Sequence, residues 1–189
     1  MPLFRSDAAG APEDDPVTRL ALAAKHGDRA AAEHFIELTY QQVRRFLGHL
    51  CDPVDVDDLT QETYLRAMTG LRRFAAKASA KTWLLSIARR VAADHVRTAT
   101  RRPRTSPLDH HDATAPRFEN SVLLGHLLDG LTPERREAFV ATQVLGLSYD
   151  EAALVCDCPV GTIRSRVARA RADLVEAVGD EGSARTSAV

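Results

Sequence analysis

Aromatic side chains are scarce in this chain, only 5% of its 189 residues, and long β-branched runs are missing. Both scarcities argue against a sheet-based fold, because strands draw on these side chains to cover a pleated surface. No apolar run is long enough to cross a bilayer, so no membrane segment is expected. The N-terminal stretch MPLFRSDAAGAPEDDP lacks the basic-then-apolar order of a secretion signal. Residues 1–16 read as a disordered leader. Cysteine is limited to Cys51, Cys156 and Cys158, an odd and unevenly spaced set that does not suggest a disulfide scaffold. These features together point to the cytoplasm. There is no GK[ST] phosphate loop, no GxGxxG after a strand and no HExxH, so an enzyme finds little support and no cofactor is expected. No metal is expected either. The Cys156/Cys158 pair has no second pair or nearby His to complete four zinc ligands, and reads as two small residues buried at a turn. His110 and His111 read as solvated.

What the chain does have is helix-forming residues. Ala, Leu, Arg and Glu dominate, and 44% of residues are hydrophobic, so the expected fold is all-α with packed cores. The net charge of −1 hides a strong asymmetry. Residues 1–65 hold 6 Lys/Arg against 12 Asp/Glu, a balance of −6. Residues 66–104 hold 11 against a single acid, Asp94, a balance of +10. Residues 105–189 hold 8 against 13, a balance of −5. A basic block of this kind is the electrostatic footprint of a nucleic-acid site, although a solvated Arg-rich helix face would look the same by charge alone.

Residues 101–119 contain Pro103, Pro107 and Pro116 and no apolar periodicity, which marks a flexible linker. It divides the chain into two small helical domains, 17–100 and 120–178, with a polar tail at 179–189. In the first domain, helices are expected over 17–26, 28–50, 55–71 and 82–100. Asp55, Asp57 and Asp58 suit the positive end of a helix dipole. Tyr64, Ala67, Met68 and Leu71 then fall on one stripe, as do Leu84, Ile87, Ala88 and Val91.

The second domain carries the clearest pattern. Thr132-Pro133 opens a helix expected to run to Leu145, with Gly146 as its stop. Ser148 and Glu151 form a capping box before a short helix. The turn DCPV follows, and then a longer helix from Val160 to Val178. Short helix, tight turn and longer basic helix make a helix-turn-helix. Val160, Ile163, Val167, Ala170 and Leu174 share one face of the last helix, and Ser165 and Arg169 stand opposite. Thr162 and Arg166 lie near that outer face, and Arg164 and Arg171 flank the apolar stripe. Arg can pair bidentately with guanine or clamp phosphate, so Thr162, Arg164, Ser165, Arg166 and Arg169 are the candidate DNA-reading set.

The block LTPERREAFVATQVLGLSYDEAALVCDCPVGTIRSRVARARADL resembles region four of the extracytoplasmic-function (ECF) sigma factors of bacterial RNA polymerase. DVDDLTQETYLRAM followed by RFAAKASAKTWLLSIARRVAADHVR resembles their region two. Within that family the chain looks most similar to the actinobacterial sigma C group. The resemblance implies a protein that binds core RNA polymerase and directs initiation at promoters, with no catalysis of its own. It implies that the DLTQETYLRAM helix docks on the β′ clamp helices. Asp58, Gln61 and Glu62 share an exposed acidic face there that suits a basic partner. It implies that the basic block melts and reads the −10 element, with Lys77, Ser79 and Lys81 in the base-accepting loop and Arg90, Arg97 and Arg101 along the next helix. Region four would read the −35 duplex and pack on the β flap, and the linker would thread near the polymerase active centre. Members of the family are often held inactive by an anti-sigma protein.

One position departs from the pattern. Family members commonly carry Asn where this chain has Arg90, and Asn reads a base edge that Arg does not. An altered −10 preference or a backbone contact is expected at Arg90. Trp83 is a candidate stacking platform, though a Trp at a helix start usually belongs to the core. The rival reading is a stand-alone helix-turn-helix regulator, which would need dimer symmetry to read a two-part site. Acidic ends around a basic middle also raise a closed form that hides the DNA-facing helices.

Overall fold

Asp15 and Asp28 open the first two helices by the same device. Each carboxylate accepts a hydrogen bond from the backbone N–H three residues on, Thr18 at 2.9 Å and Ala31 at 3.0 Å, which satisfies a donor that the helix start leaves free. The computed structural model describes residues 15–101 and 119–186. Its helices are α1 (Pro16–Lys25), α2 (Arg29–Gly48), α3 (Val56–Gly70), α4 (Ala80–Arg101), α5 (Glu119–Asp129), α6 (Pro133–Phe139), α7 (Tyr149–Cys156) and α8 (Val160–Thr186). No strand occurs among the described residues, in agreement with the all-α expectation. The first 14 residues, the linker prolines and His110 and His111 lie outside the described residues.

The apolar stripes read from the sequence face inward. Tyr64, Ala67 and Leu71 of α3 and Leu84, Ile87, Ala88 and Val91 of α4 are buried, with Met68 packed at the edge. They close on Phe35, Val43, Phe46 and Leu47 of α2. The Thr39 hydroxyl satisfies the polar tip of Tyr64, at 2.8 Å from the Tyr64 hydroxyl; burial pushes the Tyr64 phenol up to about 12.

Local structure departs from the sequence expectation in four places. Helix α4 starts at Ala80, two residues before the expected Thr82, because the Ser79 hydroxyl accepts from the Thr82 N–H at 3.1 Å and caps it. Thr132 occupies the N-cap position of α6 but makes no side-chain cap bond. The helix it starts does not run unbroken to Leu145: after Phe139 it widens into a π-helical turn, Val140–Val144. Helix α8 continues to Thr186, past the expected end at Val178. The Ser148–Glu151 capping box forms in full. At the turn, Asp157 takes a left-handed backbone with φ of 51°, a conformation that Asp tolerates better than most residues.

Ile163, Val167, Ala141, Ala152 and Cys156 form a small core for the helix-turn-helix. The two helical groups also share a boundary, because Leu128, Leu131, Val140, Val155 and Ala170 join the apolar cluster of the first group. Helix α7 packs against α4. At the edge of this contact, Arg89 of α4 donates to Glu137 of α6 at 3.0 Å, and Thr82 donates to Glu151 at 3.4 Å.

Candidate nucleic-acid interface

The loop between the α3 end and α4, residues 74–79, is held from outside by α1. Lys25 Nζ donates to the Phe74 carbonyl at 2.8 Å. The Thr18 hydroxyl accepts from the Ala80 N–H at 2.9 Å while donating to Asp15. Both ends of the loop are therefore fixed by a helix 49 and 62 residues away in sequence. Ala76 sits at a φ of 50°, which turns the chain back toward α4. An open cleft of about 270 Å³ lies behind the loop, lined by Phe74, Lys77, Thr82, Trp83 and Ser86 on one side and by Leu154 of α7 on the other.

Trp83 is half-buried, its ring 4.9 Å from Phe74 at a tilt of 41°. It is both part of the core rim and part of the cleft wall. Lys77 is exposed, Lys81 is half-buried and Ser79 is spent on capping α4. Of the three, Lys77 lines the cleft, and neither Lys77 nor Lys81 has a hydrogen bond or ion pair among the described residues. Arg90 is exposed, with no hydrogen bond or ion pair among the described residues. Arg97 is also exposed but pairs with Asp94. Arg101 ends α4, and its side chain lies outside the described residues.

Asp58 and Gln61 are exposed on α3, beside the half-buried Glu62. Glu62 accepts from Arg66 at 2.7 Å, and Arg66 also donates to Asp94 at 2.8 Å. These bonds to Arg66 and then Arg97 hold the Asp94 carboxyl below the usual carboxylate range. Leu65, 66% exposed, stands in the groove next to Arg72 and Arg73. An apolar residue displayed between charges is the kind of anchor that a partner helix buries.

On α8 the expected arrangement holds. Ile163, Val167 and Ala170 are buried, while Arg164, Ser165 and Arg169 are exposed and Thr162 and Arg166 half-exposed. The five differ in their commitments. The Ser165 hydroxyl donates to the Thr162 carbonyl at 2.9 Å, and Arg166 reaches Cys158 Sγ at 3.6 Å. Arg164 and Arg169 have no hydrogen bond or ion pair among the described residues. Arg171, beside the apolar stripe, is turned back to Gln143 at 2.8 Å. Cys156 is buried in the turn and Cys158 half-buried; burial pushes the Cys156 thiol up to about 12.

Several participants were not picked out from the sequence. Lys25 and Thr18 act across long separations that no local pattern reveals. Leu65 was passed over because it neither joins the core stripe nor carries charge. Leu154 reads as a routine apolar residue of a short helix, yet 58% of it is exposed at the cleft.

A basic loop and helix in the first unit, a helix-turn-helix in the second, and their order along the chain define a sigma-70-type transcription factor. Family models for sigma-70 region 2 and sigma-70 region 4 match residues 33–102 and 121–174. The chain is 52% identical over 169 residues to the ECF RNA polymerase sigma factor SigC of Mycobacterium tuberculosis, covering 86% of this chain and 91% of that one. It is 30% identical over 169 residues to the ECF sigma-E factor of Escherichia coli, covering 80% and 88% respectively. The chain belongs to the ECF sigma factors, the proteins that bring core RNA polymerase to its promoters. The sigma factor RpoE of Bartonella quintana, solved with the anti-sigma factor NepR, is similar in structure with a TM-score of 0.67 and 27% identity, over 78% of this chain and 96% of that one. CnrH, solved with the cytosolic domain of CnrY, shares the fold with a TM-score of 0.71 at 24% identity, over 88% and 99%. Among the described residues no helix is long and apolar enough to cross a membrane.

Proposed function

We propose that this sigma factor divides its work among three surfaces. The α3 face with Asp58, Gln61 and Glu62, extended by the exposed Leu65, docks on the β′ clamp helices. The acidic face suits a basic coiled coil, and Leu65, set between Glu62 and the arginines Arg66, Arg72 and Arg73, adds an apolar anchor beside it. The cleft behind the loop receives an unstacked base of the −10 strand, with Lys77 and Lys81 drawing in the backbone and Trp83 forming the wall. Ser79 contributes by fixing where α4 begins. Arg90, Arg97 and Arg101 track the strand or its duplex edge. Arg90, free and charged, favours phosphate or guanine over the adenine contact that Asn would make.

The outer face of α8, with Thr162, Arg164, Ser165, Arg166 and Arg169, enters the major groove of the −35 element, and the second domain also packs on the β flap. The working units are residues 17–100 and 120–178, and the protein acts in the cytoplasm. The chemistry of RNA synthesis belongs to the polymerase, and this chain supplies recognition alone. An anti-sigma partner is also part of this reading, and the Bartonella relative was solved in complex with one.

The observation that carries this reading is the separation of surfaces on adjacent helices. In the first unit, α3 turns Asp58 and Gln61 outward, while Lys77 lines an open cleft and Arg90 and Arg97 are exposed farther along α4. The test is run-off transcription by purified actinobacterial core polymerase on a genomic fragment library, with and without the protein. Transcripts with defined starts that require the protein are expected, and their upstream sequences give both promoter elements. Core binding without such transcripts, even with variants that loosen the two helical groups, would count against the promoter-reading assignment. DNA binding as a dimer with no affinity for core would favour a stand-alone regulator.

A further inference from the structure

Asp94 is the single acid between residues 66 and 104, in a block with a balance of +10. In a surface built to attract phosphate, one negative charge weakens the field. Its position gives a reason for it. One carboxylate oxygen accepts from Arg66 Nη1 at 2.8 Å, and the other accepts from Arg97 Nη2. Arg66 Nε in turn donates to Glu62 at 2.7 Å. Four alternating charges thus run from Glu62 and Arg66 on α3 to Asp94 and Arg97 on α4.

These side chains are 43% to 66% exposed. Exposed ion pairs add little to stability, so folding energy is a poor explanation for the network. Its effect is geometric. Arg66 and Arg97 carry like charges and long, mobile stems. A shared carboxylate offsets their repulsion and restricts both stems before any ligand arrives. A guanidinium has five donors, so binding one carboxylate oxygen leaves others for a phosphate. Side chains ordered in advance lose less freedom on binding.

We propose that Asp94 is a positioning residue for promoter binding, holding Arg66 and Arg97 as a paired guanidinium site for the DNA backbone and tying that site through Glu62 to the polymerase-docking helix. The inference rests on the reading above that α4 faces the promoter and α3 faces polymerase.

Asp94→Asn gives a test by sign. The change is nearly isosteric and adds one positive charge. If Asp94 only tempers the field, the variant binds promoter DNA more tightly. If it positions the arginines, the variant binds less tightly despite the added charge. The experiment measures promoter affinity of assembled holoenzyme across a salt series, for the unaltered protein, Asp94→Asn, Asp94→Glu, Arg97→Ala and the Asp94→Asn/Arg97→Ala pair. Core affinity is measured separately for each. A loss of about twofold to fivefold is expected for Asp94→Asn, the scale of exposed charge pairs. The log–log salt slope should become shallower by up to about one. Asp94→Glu should recover part of the loss, and the double variant should lose less than the two single losses combined, because only the Arg66 share of the Asp94 effect remains once Arg97 is gone. Equal or tighter binding by Asp94→Asn, or fully additive losses in the double variant, would overturn the proposal. Holoenzyme that assembles with the unaltered protein but never engages a promoter would instead overturn the underlying assignment of α4, and the proposal with it.

Discussion

Arg89 of α4 and Glu137 of α6 form an ion pair of 3.0 Å that joins the two helical groups, with 25% and 14% of their side chains exposed. Burial works against the Arg89 charge, but the charge and hydrogen bond of Glu137 outweigh it and raise the guanidinium further. Removing one partner leaves the other half-buried and alone. Glu137→Ala should weaken the docking of the two groups by roughly 1 to 3 kcal/mol, less than for a fully buried pair. The Arg89→Ala/Glu137→Ala pair should lose less than the two single losses combined. Small-angle scattering reports the docking directly, since the single variants should show a larger radius. A radius unchanged in all three would mean that the apolar contact alone holds the groups together.

Leu154 covers part of the cleft next to Lys77, Thr82 and Trp83. If the cleft receives the −10 strand as proposed, that strand and Leu154 compete for one space. Leu154→Ser should therefore raise the affinity of the free protein for a labelled −10 single strand by a few-fold, while its affinity as assembled holoenzyme stays the same. Fluorescence anisotropy on both forms separates these cases. Equal affinities for the free variant and the unaltered chain would show that Leu154 does not obstruct the cleft in solution.

Thr18 supplies the acceptor for the buried Ala80 N–H. Thr18→Val keeps the shape and removes the acceptor, and an orphaned buried donor costs about 1 to 3 kcal/mol. Urea titration should show that loss in the midpoint with the slope unchanged. The loop should also become the first site of protease cleavage, because its C-terminal anchor is gone.

The five outward residues of α8 should contribute unequally. Arg164 and Arg169 have no competing partner among the described residues, whereas the Ser165 hydroxyl is already bonded to Thr162. Arg164→Ala and Arg169→Ala should each cost about 1 to 3 kcal/mol of −35 binding where they read guanine, and where they meet phosphate they should lower the salt slope by about one. Ser165→Ala should be nearly silent. Electrophoretic binding assays on −35 duplexes with single base changes tell reading from clamping.

Burial raises the thiol of Cys51 to about 11 and that of Cys156 to about 12. The thiolate is the reactive form, so both should resist alkylation at neutral pH in the folded protein. Mass spectrometry after iodoacetamide pulses should find them modified only after denaturation. Rapid labelling of Cys156 in native buffer would show that the helix-turn-helix core opens.

Much of this could be read along the chain because it depends on near neighbours. Helical periodicity placed Leu84, Ile87, Ala88 and Val91 inside and Ser165 and Arg169 outside, since both follow from 100° per residue. The Ser148–Glu151 capping box needed only three residues of spacing. Local chemistry also failed in specific ways. The Ser79 hydroxyl was available for DNA or for a cap, and the cap prevailed because an unbonded N–H at the start of α4 lay within reach. The break after Phe139 is not announced by Gly or Pro, so the periodic pattern ran straight through it.

The sequence by itself determined the helices, their buried faces, the basic block and the family. Only the tertiary structure decided which charges meet. Lys25 reaches the Phe74 carbonyl, Asp94 gathers Arg66 and Arg97, Arg89 finds Glu137, and Leu154 comes to rest over the cleft. These partners are 28 to 49 residues apart in the three longest of those bonds. Helical periodicity fixes the face a side chain occupies; the packing of one helix on another fixes what that face touches.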